Sequence, residues 1–312
     1  METFVHHLAL SAPLFLLVLI GYALVHWGGW PKEVSDALSR FVFAVALPAL
    51  LFRMMSDLSR LPPVDARLLI AFFGSCLIVF VIGRLVALWV FRLDGVAQSV
   101  FALGGIFSNN VLLGVPLAKT TLGDAALPSV ALVLVFNALT LWTLVTVSVE
   151  WARHGAFSLH GFAKTAKSVT TNPIVAAIVC GSVFGLSGLH IPELIDAPLA
   201  MMSQAAAPMS LVVLGMGLAE YGVRAGWQQS TAICALKLVV QPLVVWLLAR
   251  ALGLPAMETR VVVLLASLSV GVNVYLMSRQ FKTMEGPVAA SLVLSNLLAA
   301  VTTPLALTLT AG

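Results

Sequence analysis

Ten apolar runs of about twenty residues, each ended by charged or Pro/Gly-rich punctuation, limit this chain more than any single motif does. They read as 8–27, 34–55, 66–91, 96–118 and 126–150, then 172–188, 197–219, 228–250, 259–279 and 287–310. A helix needs about twenty apolar residues to cross a bilayer core, and in hydrocarbon its backbone must satisfy itself internally. The runs therefore predict an all-α integral membrane protein with ten transmembrane helices. Composition agrees, with 60% of residues hydrophobic and 10% charged, where a soluble domain carries about 25% charge. A disordered chain, a secreted disulfide scaffold and a nucleic-acid binder are excluded. Cys76, Cys180 and Cys234 lie far apart inside apolar runs without metal-ligand spacing, so neither a metal nor a cofactor is expected. The first run has no lysine or arginine before it and no small-residue cleavage site after it. It reads as a retained helix, not a signal peptide.

The runs fall into two related halves. Pro13 and Gly21 in the first run are spaced as Pro173 and Gly181 are in the sixth, and Pro48 follows Pro13 by 35 residues as Pro208 follows Pro173. Asn137 in the fifth run is matched by Asn296 in the tenth, one residue out of that register. This predicts two five-helix repeats, 8–150 and 172–310, joined by a linker at 151–171. An odd number of spans per repeat makes the second enter the membrane from the opposite face, an inverted topology common among secondary transporters. Lys32, Arg40, Arg84, Arg92, Arg153, Lys164, Lys167, Arg224, Arg279 and Lys282 then share one face. Arg53, Arg60, Arg67, Lys119, Arg250 and Arg260 share the other. The richer face is expected in the cytoplasm, with both termini outside.

All thirteen acidic residues and all six histidines fall in loops or end turns. No catalytic constellation reaches the membrane interior, so an enzyme is not expected. One charge is left at mid-span, Lys237 in K-L-V-V-Q-P (Lys237 to Pro242). A lysine at the bilayer centre costs about 2.5–3.5 kcal/mol on insertion scales, so it should face protein or water. It either bonds carbonyls freed by a broken helix, or it attracts a substrate anion or titrates during coupling. Gln241 and Pro242 follow one turn later, and the proline is expected to free the Leu238 carbonyl.

The fourth run is interrupted by G-G-I-F-S-N-N-V-L-L-G-V-P, Gly104 to Pro116. Irregular backbone at membrane depth survives only inside protein or along a cavity. Unwinding around Ser108, Asn109 and Asn110, ahead of Gly114 and Pro116, would expose amides at the start of a second half-helix, where the dipole favours an anion. The ninth run, S-L-S-V-G-V-N-V-Y-L-M-S (Ser267 to Ser278), offers a matching break at Gly271 and Asn273, with Tyr275 as a wall. Asn137 and Asn296, in the spans after the breaks, are expected to satisfy freed backbone.

Those residues resemble the auxin efflux carrier family, whose bacterial members include malonate transporters. The resemblance covers essentially the whole chain. It is carried by V-A-L-P-A (Val45 to Ala49), S-N-N-V-L-L-G-V-P-L in the fourth span, the asparagine-bearing ninth span and K-L-V-V-Q-P in the eighth. Many members have a proline at the ninth-span crossover, and here that place is Ser269.

The resemblance implies a fold related to bile-acid sodium symporters, with helices 1, 2, 6 and 7 as a scaffold, often dimeric, and helices 3–5 and 8–10 as a mobile transport domain. It implies an elevator-type secondary carrier of the cytoplasmic (inner) membrane for a small organic anion, a mono- or dicarboxylate such as malonate. Ser108, Asn109, Asn110 and Asn273 would line the site, with Lys237 supplying charge and Gln241 in support. The coupling ion is left open between proton and sodium. The alternatives are an anion channel or uniporter, and a sodium-coupled carrier of the bile-acid-symporter kind.

Overall fold

The computed structural model describes residues 2–56, 65–154, 173–220 and 226–310. Of the expected linker, residues 155–171 lie outside the described residues, as do Arg60 and Arg224. The described residues form ten helical rods in chain order. They are α1 (Glu2–His26), α2 (residues 32–56), α3 (Arg67–Trp89), the pair α4a (Gly95–Gly104) and α4b (residues 110–122), and α5 (Leu127–His154). Then come α6 (Pro173–Leu186), α7 (Glu193–Glu220), α8 (residues 227–251), the pair α9a (Ala256–Ser267) and α9b (Val272–Phe281), and α10 (Glu285–Leu309). Each expected run overlaps one rod, with most rods reaching a few residues beyond the run's ends. The fourth and ninth are the two that break.

Among the described residues, five helices are long and apolar enough to cross a membrane: Lys32–Arg53, Arg67–Trp89, Glu193–Ala219, Trp227–Ala251 and Glu285–Leu309. Their outward faces carry large apolar side chains, such as Ile70, Val239 and Leu297, as a lipid-facing surface requires. Local chemistry sets the helix ends. Asp94, for example, caps α4a by accepting from the amides of Val96 and Ala97 at 2.9 and 3.0 Å.

Three π turns interrupt α2 (Val42–Ala46), α4b (Asn110–Gly114) and α8 (Leu236–Val240). Each is closed by the residue just before a proline. Leu47, Val115 and Gln241 donate their amides five residues back, to Val42, Asn110 and Leu236, and Pro48, Pro116 and Pro242 follow. Proline has no amide to give, and its ring crowds the carbonyl four residues earlier. Widening one turn relieves that crowding without ending the rod. The expected effect of Pro242 is thus absorbed as a π turn beginning at Leu236.

Helices α1, α2, α6 and α7 pack on one another, with α1 against α7 and α2 against α6 as the most extensive pairs. Glycine makes these crossings close. A Cβ on Gly21 would lie 2.0 Å from the Val212 carbonyl oxygen, and one on Gly181 would lie 2.6 Å from that of Phe52. Gly21 and Gly181 stand 160 residues apart, and so do Phe52 and Val212. The remaining helices cluster around α4a, α8 and α10, where α3 packs on α4a and α8, and α9a packs on α8 and α10.

Candidate functional site

Backbone directly joins the two breaks. The amide of Asn109 donates to the Ser269 carbonyl at 3.0 Å, and that of Gly271 donates to the Phe107 carbonyl at 2.7 Å. Ser108 and Val270 thus pair as an antiparallel bridge at the crossing. Gly271 permits the approach: a Cβ there would sit 2.9 Å from Phe107 Cδ1 and 3.0 Å from the Ser108 carbonyl oxygen. Its role is steric. Gly114 likewise faces Leu268 and Leu265 of the ninth rod, with a Cβ reaching to 2.9 and 3.1 Å. Pro116 lies in the first turn of the α-helical part of α4b.

Each break frees carbonyls, and polar side chains take them up. Gln241 Nε2 donates to the Ile106 carbonyl at 3.0 Å, just past the end of α4a. Lys237 Nζ donates to the Ala266 carbonyl at the end of α9a. Thr303 Oγ1 donates to the Ser267 carbonyl at 2.9 Å, and Ser295 Oγ accepts from the Val270 amide at 3.0 Å. Ser210 Oγ donates to the Leu112 carbonyl at 3.1 Å, inside the π turn of α4b.

Among the described residues, Asn137 and Asn296 meet side chains of the breaks and not the freed backbone that sequence reading assigns them. Asn137 Oδ1 accepts from Asn110 Nδ2 at 3.4 Å, and Asn296 Oδ1 accepts from Ser269 Oγ at 3.0 Å. Each therefore holds a side chain of the break 27 residues before it. The freed groups go to Lys237, Gln241, Ser295 and Thr303, which face the broken ends.

A cavity of about 320 Å³ opens on one side of the crossing. Ser108, Asn109, Asn110, Asn137 and Asn273 supply its polar wall, with Gly271 at the crossing. Phe43 of α2, Phe107, Leu134 of α5 and Leu276 close it with apolar surface. Three polar atoms in this wall are buried and without a partner among the described residues: Ser108 Oγ, Asn109 Nδ2 and Asn110 Oδ1. Buried polar groups are paired in the great majority of cases, so three such atoms in one wall leave hydrogen-bonding capacity unused beside the cavity. Both second half-helices also begin here, α4b at Asn110 and α9b at Val272. Their first-turn amides have no acceptor within the helix and carry the positive end of its dipole.

The structure brings Ser108, Asn109, Asn110, Asn137, Gly271 and Asn273 together. Asn273 sits in the first turn of α9b, after the break of residues 268–271, and not within the break as expected. Lys237, Gln241, Ser269, Asn296 and Tyr275 are outside the cavity wall. Lys237 and Gln241 are fully buried behind the crossing, on the side of the half-helix C-termini. Phe43 was not singled out by sequence, since one phenylalanine among many apolar residues carries no signal. Its nearest marker is the proline-linked π turn in which it lies. Among the described residues no group of three or more His, Cys, Asp or Glu could hold a metal ion.

Comparison with known proteins places the chain among membrane transporters. A "Putative malonate transporter" of Rhizobium meliloti (strain 1021) is 25% identical over 299 residues, 94% of this chain and 92% of that protein. An uncharacterized transporter of Methanocaldococcus jannaschii is 24% identical across 81% of this chain and 82% of its own length. One of Methanothermobacter thermautotrophicus is 25% identical across 93% and 94%. Residues 7–307 match the family described as Membrane transport protein. The chain belongs to that family, the auxin efflux carrier family that its motifs resemble, and is a multi-pass membrane transporter and not an enzyme.

Proposed function

We propose that this chain is a secondary carrier for a small organic anion, a mono- or dicarboxylate of about malonate's size. The observation that carries this reading is the cavity at the crossing, where two half-helix N-termini converge with unpartnered Ser108 Oγ and Asn109 Nδ2. A carboxylate there would accept hydrogen bonds from Ser108, from the Asn109 and Asn273 amides, and from first-turn backbone N–H groups. Two dipole ends of about half a positive charge each would offset its charge. The name of the Rhizobium meliloti relative supports malonate as the first probe.

In this reading the ten rods are ten transmembrane helices in two inverted repeats, with both termini outside. Two sets of contacts support the repeat: Gly21 with Val212 against Gly181 with Phe52, and Asn110 with Asn137 against Ser269 with Asn296. Helices α1, α2, α6 and α7 form the scaffold, and the others slide along it as an elevator. Substrate drives the exchange only as far as it stabilises one position over the other. The test is uptake of labelled malonate, and of competing mono- and dicarboxylates, into proteoliposomes containing the purified chain. Saturable, competable uptake is expected. Flux that rises linearly with substrate, with unitary currents, would replace the carrier with a channel.

A further inference from the structure

Behind the cavity, on the opposite side of the crossing, lies a second polar cluster that the carrier reading leaves unused. Lys237, Gln241 and Cys76 are all fully buried there. Lys237 and Gln241 stand one turn apart on α8, and each reaches a different broken helix: Lys237 the Ala266 carbonyl of α9a, Gln241 the Ile106 carbonyl beyond α4a. Gln241 Nε2 also lies 3.5 Å from Cys76 Sγ on α3, while Gln241 Oε1 is buried without a partner among the described residues. Among the described residues no carboxylate pairs with Lys237.

The chemistry of this cluster is that of a cation site. Two half-helix C-termini present carbonyls and the negative ends of their dipoles, about half a charge each. Secondary carriers with broken helices use such ends to coordinate sodium or protons. Here a side-chain amine already fills that position, donating to the Ala266 carbonyl.

We propose that the Lys237 ammonium is the resident cation of this site, held by the Ala266 carbonyl where an inorganic ion would otherwise bind. The inference rests on the carrier reading and adds that transport needs no sodium at this place. Lys237 is then a positioning residue, which fixes the C-terminal end of α9a so that Ser269 and Gly271 stay bonded to α4. Replacing it with a smaller neutral side chain should leave a vacancy that small cations enter.

The test is thermal unfolding of the full chain in detergent, in choline, sodium, lithium or methylammonium chloride. Wild type should unfold at the same temperature in all four. Lys237→Ala should unfold several degrees lower in choline, and recover as sodium or methylammonium concentration rises, since a ligand bound only to the folded state stabilises it by mass action. Lys237→Met, which fills the space without charge, should be destabilised and show no recovery. A purely space-filling lysine predicts the reverse order of these variants. Wild-type stability in Lys237→Ala, or no response to any cation, would overturn the proposal. If Lys237→Ala does not fold, wild type decides: malonate uptake should be equal in sodium and choline, and a several-fold sodium stimulation would overturn it. Absence of malonate uptake in every medium counts against the carrier reading, and the unfolding series still decides the cation site.

Discussion

The amide of Asn109 donates to the carbonyl of Ser269 at 3.0 Å, and this bond fastens one broken helix to the other. Its companion, from Gly271 to Phe107 at 2.7 Å, makes the crossing a two-bond unit of backbone. Side chains that touch neither strand of this bridge still depend on it, because both half-helix N-termini are aimed by it. Gly271→Ala tests that dependence. The added Cβ would meet Phe107 Cδ1 at 2.9 Å and the Ser108 carbonyl at 3.0 Å, and such overpacking costs about 1–3 kcal/mol. We expect a lower unfolding temperature together with lost uptake, measured by thermal shift and in proteoliposomes.

Asn109 separates binding from stability. Its side-chain nitrogen is buried with no partner among the described residues, so removing it breaks no hydrogen bond to them. A hydrogen bond to a charged ligand group contributes about 1.5–3 kcal/mol, and about 1.4 kcal/mol is a factor of ten. Asn109→Ala should therefore raise the half-saturating malonate concentration by about tenfold or more. Its unfolding temperature without substrate should match wild type. A large loss of stability with unchanged half-saturation would show that Asn109 serves the fold and not the ligand.

Gln241 should behave in the opposite way. Gln241→Leu keeps the bulk but leaves the Ile106 carbonyl without its 3.0 Å donor, and a buried acceptor left unpaired costs about 1–3 kcal/mol. Thr303→Val does the same to the Ser267 carbonyl at the other break. Both variants should unfold at lower temperature. Because they act on different broken helices but on one bridged unit, the double variant should cost less than the sum of the singles. Denaturation of all three in detergent checks this coupling.

Much of this arrangement is legible in the text of the chain, for identifiable reasons. Prolines, glycines and a lone lysine stand out against apolar helices, so Pro116, Gly271 and Lys237 mark the breaks and the helix behind them. Long-range partners leave no such mark. Lys237 reaches Ala266, and Gln241 reaches Ile106, 135 residues away. Neither alanine nor isoleucine announces that its carbonyl has been freed. Asn137 and Asn296 were legible as polar groups facing the breaks, but side chain and backbone are equally good partners for an amide, and only geometry decides between them. Phe43 joins the cavity wall because α2 crosses there, a fact of packing with no local signature.

Glycines at the α1–α7 crossing give a sign test within one helix. A Cβ on Gly215 would lie 1.8 Å from the Val18 carbonyl oxygen, whereas one on Gly217 would meet nothing within 4 Å. Gly215→Ala must push two backbones apart, and should abolish folding or lower the unfolding temperature sharply. Gly217→Ala removes the entropic penalty of glycine in a helix at no steric cost, and should stabilise by about 0.5–1 kcal/mol. Unfolding of the two variants, two residues apart on α7, checks both directions.

Phe43 is the contribution of α2 to the cavity, and it lines, with Asn109 and Asn273, the space where the substrate is proposed to sit. Truncating it removes apolar wall without touching the hydrogen-bonding groups. Phe43→Ala should therefore keep carboxylate recognition and relax the size limit, so that longer dicarboxylates compete with malonate better than they do in wild type. One or two methylenes in an apolar pocket are worth about 1–3 kcal/mol, which sets the expected change at roughly tenfold or more in relative half-saturation. In the proposed elevator, α2 would belong to the scaffold and α4b and α9b to the moving domain, so Phe43 would contact the substrate in only one of the two positions. The relaxation should then appear for substrate offered from one side of the membrane and not from the other. Competition measured separately on inside-out and right-side-out vesicles distinguishes the two. Equal relaxation on both faces would place Phe43 on the moving domain and contradict the division of helices proposed above.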